Sequence, residues 1–163
     1  MKKLMKQKLT NLAVGELVAA VVFWINFFLF KKLITTTKSL ISISFSLFIL
    51  SFILIQGSIF WCILIKRISK QGFAAKYTGK IYNKLKILDV ILLCIGVPVI
   101  ILNYSTFFTM IVSFAIWIFA VIEWVNYYKL QLSYSFNPVV LLKYILQRKL
   151  RKSKIANEID KSI

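Results

Sequence analysis

The sequence predicts an all-α integral membrane bundle of four transmembrane helices, with amphipathic surface helices on the cytoplasmic side. Three observations predict it. Of the 163 residues, 60% are hydrophobic, and the mean hydropathy is +0.80; a soluble domain of this length is nearer half apolar. The apolar residues fall into four long runs, the kind that cross a bilayer. The net charge of +17 is concentrated between and beyond those runs, where basic residues meet anionic lipid. That distribution favours an anionic membrane as partner and argues against nucleic acid.

The first expected span is Leu9–Phe30, about 33 Å as a helix and enough for the ~30 Å hydrocarbon layer. Lys2, Lys3, Lys6 and Lys8 precede it as in a signal peptide. Its core runs instead into Phe27–Phe30 and Lys31-Lys32 with no small-x-small site, so it reads as an uncleaved span. The second, Ser39–Ile65, carries Ser44, Ser51 and Ser58 seven apart, then Gln56-Gly57-Ser58. Small hydroxyl residues in such a stripe let a neighbouring helix approach.

The segment 66–86 holds seven Lys and Arg and no acid. Phe73, Tyr77, Ile81, Leu85 and Leu88 step by four and three with lysines between them, predicting a helix lying on the membrane surface. The third span, Ile87–Leu102, contains Gly96 and Pro98, which permit a bend. Four residues, Asn103–Thr106, then return the chain, so the fourth span, Phe107–Asn126, pairs antiparallel with the third. Trp124, Tyr127, Tyr128 and Tyr134 fit an interfacial aromatic belt.

The remaining unit, 137–163, is a cytoplasmic basic helix and tail. Asn137-Pro138 supplies a cap and first-turn proline. The helix they open, Val139–Lys152, sets apolar residues opposite Lys143, Arg148, Lys149, Arg151 and Lys152, the expected lipid-binding set. From Ser153 the chain is polar and is expected to be disordered.

Nineteen Lys and Arg flank one side of the four spans and three (Lys31, Lys32, Lys38) the other. The positive-inside rule then places both termini in the cytoplasm.

Three of the five acids, Glu16, Asp89 and Glu123, fall inside spans. With the spans as drawn, Glu16 is about 10 Å, and the other two about 5 Å, from the cytoplasmic boundary. Helix dipoles favour an anion at Glu16 and Asp89 and disfavour it at Glu123, for which Lys86 or Lys129 is the expected partner. Glu16, Gln56, Asp89 and Glu123 form the candidate intramembrane polar cluster, read either as interfacial ion pairs with lysines or as a cation or proton site. Cys62 and Cys94 are isolated and histidine is absent. The usual zinc, haem and iron–sulfur ligand sets are therefore missing, and neither metal nor cofactor is expected.

Two stretches, LIQGSIFW (Leu54–Trp61) and EWVNYYKLQLSY (Glu123–Tyr134), resemble a group of small four-span membrane proteins of Gram-positive bacteria. The resemblance implies a bacterial cytoplasmic-membrane protein and carries no activity over. Small multidrug transporters are similar in having four spans and a glutamate in the first, but lack the basic segment and tail seen here. Two functions follow as expectations. One is a non-enzymatic protein acting on lipid or a membrane partner, in stress response or toxin immunity. The other is a small homo-oligomeric cation- or proton-coupled transporter using Glu16.

Overall fold

The computed structural model describes residues 2–34, 36–69, 75–130 and 152–160. Its elements are α1 (Lys2–Phe30), a one-turn 3-10 helix (Lys31–Leu33), α2 (Thr37–Ser69), α3 (Ala75–Leu102), α4 (Phe107–Tyr128) and α5 (Lys154–Asp160). The fold is an all-α four-helix bundle, and each of α1 to α4 is long and apolar enough to cross a membrane. The helix expected over 139–152 lies outside the described residues, apart from Lys152.

Helix α2 is the axis. Over half of its apolar window is buried (56%), against 11–22% in the other three, and it packs on all of them. The outward faces of α1, α3 and α4 carry Val, Ile, Leu and Phe, the surface that a hydrocarbon solvent requires. Inward faces mix large apolar residues such as Ile49, Leu50, Ile53 and Phe60 with small or polar ones, which allow close backbone approach and interhelical hydrogen bonds. On α1 the buried stripe is Leu9, Ala13 and Ala20. Against it, Ser58 Oγ donates to Ala13 O at 2.9 Å, and Trp24 Nε1 donates to Ser51 Oγ at 2.9 Å.

Ser44 does not share that interface, contrary to the seven-residue stripe. Its hydroxyl bonds Ile41 O within its own helix at 3.2 Å. A strict heptad drifts by about 20° per repeat on a straight helix, which carries the stripe off the contact. A second hydroxyl seam, unforeseen, joins α2 to α4: Ser39 Oγ donates to Thr109 Oγ1 at 3.1 Å and Ser42 Oγ to Ser113 Oγ at 2.8 Å.

One expectation about the basic segment needs correction. Among the described residues no separate surface helix precedes the third span, since α3 runs unbroken from Ala75 to Leu102. Tyr77 and Ile81 of its apolar stripe are exposed, whereas Thr78 and Tyr82, which the pattern did not mark, are buried. Lysines one turn apart look like a surface helix, yet they equally suit the protruding end of a helix longer than the bilayer is thick.

The α3–α4 hairpin turns at 103–106 as expected, and Gly96 serves it by closeness. A Cβ there would lie 2.8 Å from Trp117, whose Nε1 donates to Leu93 O at 3.0 Å.

The tail departs most from expectation. Ser153 caps α5, its Oγ accepting from Ala156 N at 3.0 Å, and Ile155 and Ile159 bury themselves one turn apart. Ser153 Oγ also donates to Tyr127 O. Arg67 then ties three elements, pairing with Glu158 at 2.8 Å and donating to Thr78 Oγ1 at 2.8 Å. The end of α2, the start of α3 and α5 thus occupy one end of the bundle.

Candidate functional site

The polar residues gather on the α2 turn formed by Gln56, Gly57, Ser58 and Trp61. A helix places successive side chains about 100° apart, so these four reach three different neighbours.

Gln56 faces α3 and α4. Tyr128 donates its hydroxyl proton to Gln56 Oε1 at 2.6 Å. That bond turns the amide so that Nε2 donates to Asp89 Oδ1 at 2.8 Å. Tyr82 donates to the backbone carbonyl of the same residue at 2.7 Å. Asp89 is fully enclosed, with 0% exposure, and its second oxygen, Oδ2, has no hydrogen-bond partner.

Gly57 and Trp61 face α1 and the end of α4. Trp61 Nε1 donates to Glu16 Oε1 at 2.7 Å. The Tyr127 ring and Glu16 Oε2 converge on Gly57 so closely that a Cβ would lie 2.5 Å from Tyr127 Cζ and 2.6 Å from Glu16 Oε2. Glycine is therefore required by space, not by backbone angle. Like Asp89 Oδ2, Glu16 Oε2 is buried without a hydrogen-bond partner.

The expected cluster is thus resolved into parts. Gln56 and Asp89 are bonded to one another, Glu16 lies across Gly57 against Tyr127, and Glu123, which accepts from Asn126 Nδ2 at 3.3 Å, is within electrostatic reach of both Glu16 and Tyr127. The ion-pair expectation fails among the described residues. Their ion pairs are Arg67–Glu158 and Lys152–Asp160, and the Lys129 ammonium lies over the Trp124 ring at 5.4 Å. Lys152, expected to bind lipid, holds Asp160 at 2.9 Å.

The dipole argument fails too. α1 begins at Lys2 and α3 at Ala75, so Glu16 and Asp89 each lie fourteen residues inside their helices. Dipole effects fade within the first turn. Asp89 lies one turn past Lys86, the last lysine before the apolar stretch of α3, about 5 Å along the axis as the shorter span implied, and it is enclosed there by α2 and α4 and not by lipid headgroups.

Trp61, Tyr82, Tyr127 and Tyr128 are the site residues that sequence reasoning missed. The two α4 tyrosines were assigned to the interface, yet they are 4% and 3% exposed within the bundle. A buried tyrosine hydroxyl needs a partner, and a polar Gln in an apolar span is the signal that could have supplied one.

No group of three or more His, Cys, Asp or Glu suited to a metal occurs among the described residues. Tested against known proteins, the chain matches no family model, no curated relative and no solved structure. Fold and site therefore define the class alone: a multi-pass membrane bundle with carboxyl groups held between its helices. Leu54–Trp61 and the described part of Glu123–Tyr134 meet there at Gln56–Tyr128 and Gly57–Tyr127.

Proposed function

We propose that this is a non-enzymatic, cation- or proton-coupled transporter of a bacterial cytoplasmic membrane, working as a homo-oligomer through Glu16 and Asp89. One observation carries the reading: each carboxyl is held inside the bundle with no basic residue beside it, and its second oxygen, outside any well-formed hydrogen bond, has only a tyrosine hydroxyl near it, Tyr127 for Glu16 and Tyr128 for Asp89. An acid at a span centre is uphill by about 2.5–3.5 kcal/mol on insertion scales, and such residues mark ion and proton pathways. Twenty-two basic residues are available, yet none among those described pairs with either acid. A group that must take up and release a small cation is better left without a resident one.

The test is uptake into sealed vesicles carrying the purified protein. Glu16→Gln keeps the shape and the Trp61 contact but removes the exchangeable charge, and is expected to lower cation- or proton-coupled uptake at least about tenfold. Insertion should be unchanged. Uptake in the variant equal to that of the parent would defeat the proposal.

The runner-up reading is action on anionic lipid or a membrane partner at the basic end, in stress response or toxin immunity. It is supported by a cavity of about 320 Å³ that Lys86, Lys129 and Lys152 help to line. It gains the first place if uptake never depends on Glu16.

The positive-inside rule sets that basic end in the cytoplasm. Cysteine labelling at Tyr104, in the α3–α4 turn, is expected from outside the cell only. Labelling at Asn157, an exposed position of α5, is expected from the cytoplasm only. Ser153 is unsuitable because it is 3% exposed. Outside labelling of position 157 would invert the orientation.

A further inference from the structure

We propose that α5 is the cytoplasmic gate of the Glu16 site. The inference deepens the cation-coupled reading and rests on it for the gate's purpose, while its test reads access directly.

Glu16 is flanked by Trp61, which donates to it, and by Tyr127, which shares the Gly57 contact with it. Both flanking residues are held from the other side by the first two residues of the tail. Ser153 Oγ donates to Tyr127 O, and its backbone N–H donates to Lys129 O at 3.2 Å. The Lys154 ammonium lies over the Trp61 ring, 5.4 Å from its centroid, an attraction between cation and ring face.

Between tail and bundle lies a cavity of about 30 Å³, whose lining includes Leu12, Trp61, Asn126, Tyr127, Ser153 and Ile155. That is room for a water molecule beside polar groups. It lies between the tail and the two residues that flank Glu16, and α5 is its outer wall.

The gate is built to open. Seven residues are too few to stand as a helix alone, so α5 exists only while docked. Docking rests on Ile155 and Ile159, the Ser153 cap and the Arg67–Glu158 pair. Such a unit opens locally at far lower free energy than the four long helices. When it lifts, Trp61 loses its cation and Tyr127 its tether together, and the small cavity becomes a route to the carboxyl.

The test is the rate at which a water-soluble carbodiimide, with an added amine, modifies individual carboxyl groups in the full-length protein, reconstituted in vesicles and read by peptide mass spectrometry. Ile155→Asp places a charge where α5 docks and should release it; Ser153→Ala removes the cap and the tether without adding charge. Glu16 is expected to react at least about tenfold faster in Ile155→Asp, with a smaller gain in Ser153→Ala. Asp89, enclosed elsewhere, should react at the parental rate in both.

Unchanged Glu16 modification in both variants would overturn the gate. So would an equal rise at Asp89, which would mean that the tail holds the whole bundle together. The two proposals fail separately. Parental uptake by Glu16→Gln removes the transport reading and leaves gated labelling intact, while ungated labelling leaves uptake untouched.

Discussion

Gly57→Ala should destabilise the bundle by about 1–3 kcal/mol, the usual scale for overpacking a well-filled interior. The added Cβ would sit 2.5 Å from Tyr127 Cζ and 2.6 Å from the Tyr127 hydroxyl and from Glu16 Oε2. Side-chain ends can swing away, but these two cannot do so cheaply. Tyr127 is 4% exposed, and Glu16 is held by Trp61. Alanine also gains about 1 kcal/mol of helix propensity over glycine, which offsets part of the cost. Gly15→Ala supplies the control, since nothing lies within 4 Å of a Cβ there, and that variant should be neutral or slightly stabilised. Denaturant unfolding in detergent micelles, followed by helix signal, measures both. Equal stability of the two variants would show that the Gly57 contact is loosely packed.

Gln56→Leu should also destabilise the bundle, because it removes both ends of the bridge between Tyr128 and Asp89 and leaves each only the other to pair with. The Tyr128 hydroxyl loses its acceptor and Asp89 Oδ1 its donor. Each buried group left unpaired costs about 1–3 kcal/mol. The Tyr82 bond survives, as it goes to the backbone carbonyl. Adding Asp89→Leu and Tyr128→Phe to the same chain removes the two groups, and most of the loss should return. A triple variant weaker than Gln56→Leu alone would mean that the network holds the helices by shape, with its hydrogen bonds incidental. The same unfolding assay decides it.

The spans were legible because lipid enforces them: apolar length and the 103–106 turn need no partner to be recognised. The start of α3 was not, since lysines from Lys76 to Lys86 mark distance from hydrocarbon without saying whether the helix continues. That one boundary undid the dipole argument for Asp89, and its enclosure by α2 and α4, which no depth count shows, undid the snorkelling argument. Gln56, Asp89 and Glu16 were recognisable as unusual because polar residues in apolar runs are expensive. Their true partners were not recognisable. The Gln56–Asp89 bond joins residues 33 apart and the Tyr128–Gln56 bond residues 72 apart, and no periodicity encodes such pairs. Tyr127 and Tyr128 misled for a chemical reason, being apolar rings with one polar end that suit an interface and a buried network alike. α5 was overlooked because its apolar contact comes from Ile155 and Ile159, two residues in a polar tail.

The central place of α2, against which Glu16 and Tyr127 meet at Gly57, imposes an order on biosynthesis. Glu16 leaves the ribosome early, as part of the first helix, and chains are made and folded from the amino end. Trp61 follows 45 residues later, whereas Tyr127 and the tail come only near the end of translation. Through most of synthesis the first helix therefore carries an acid whose surroundings do not yet exist. The nascent chain has to keep that helix at the insertion machinery, or with its carboxyl near water, until α2 arrives. A chain interrupted before α4 would leave this carboxyl half-housed. Such a fragment is the kind that membrane quality control recognises by a polar group facing lipid.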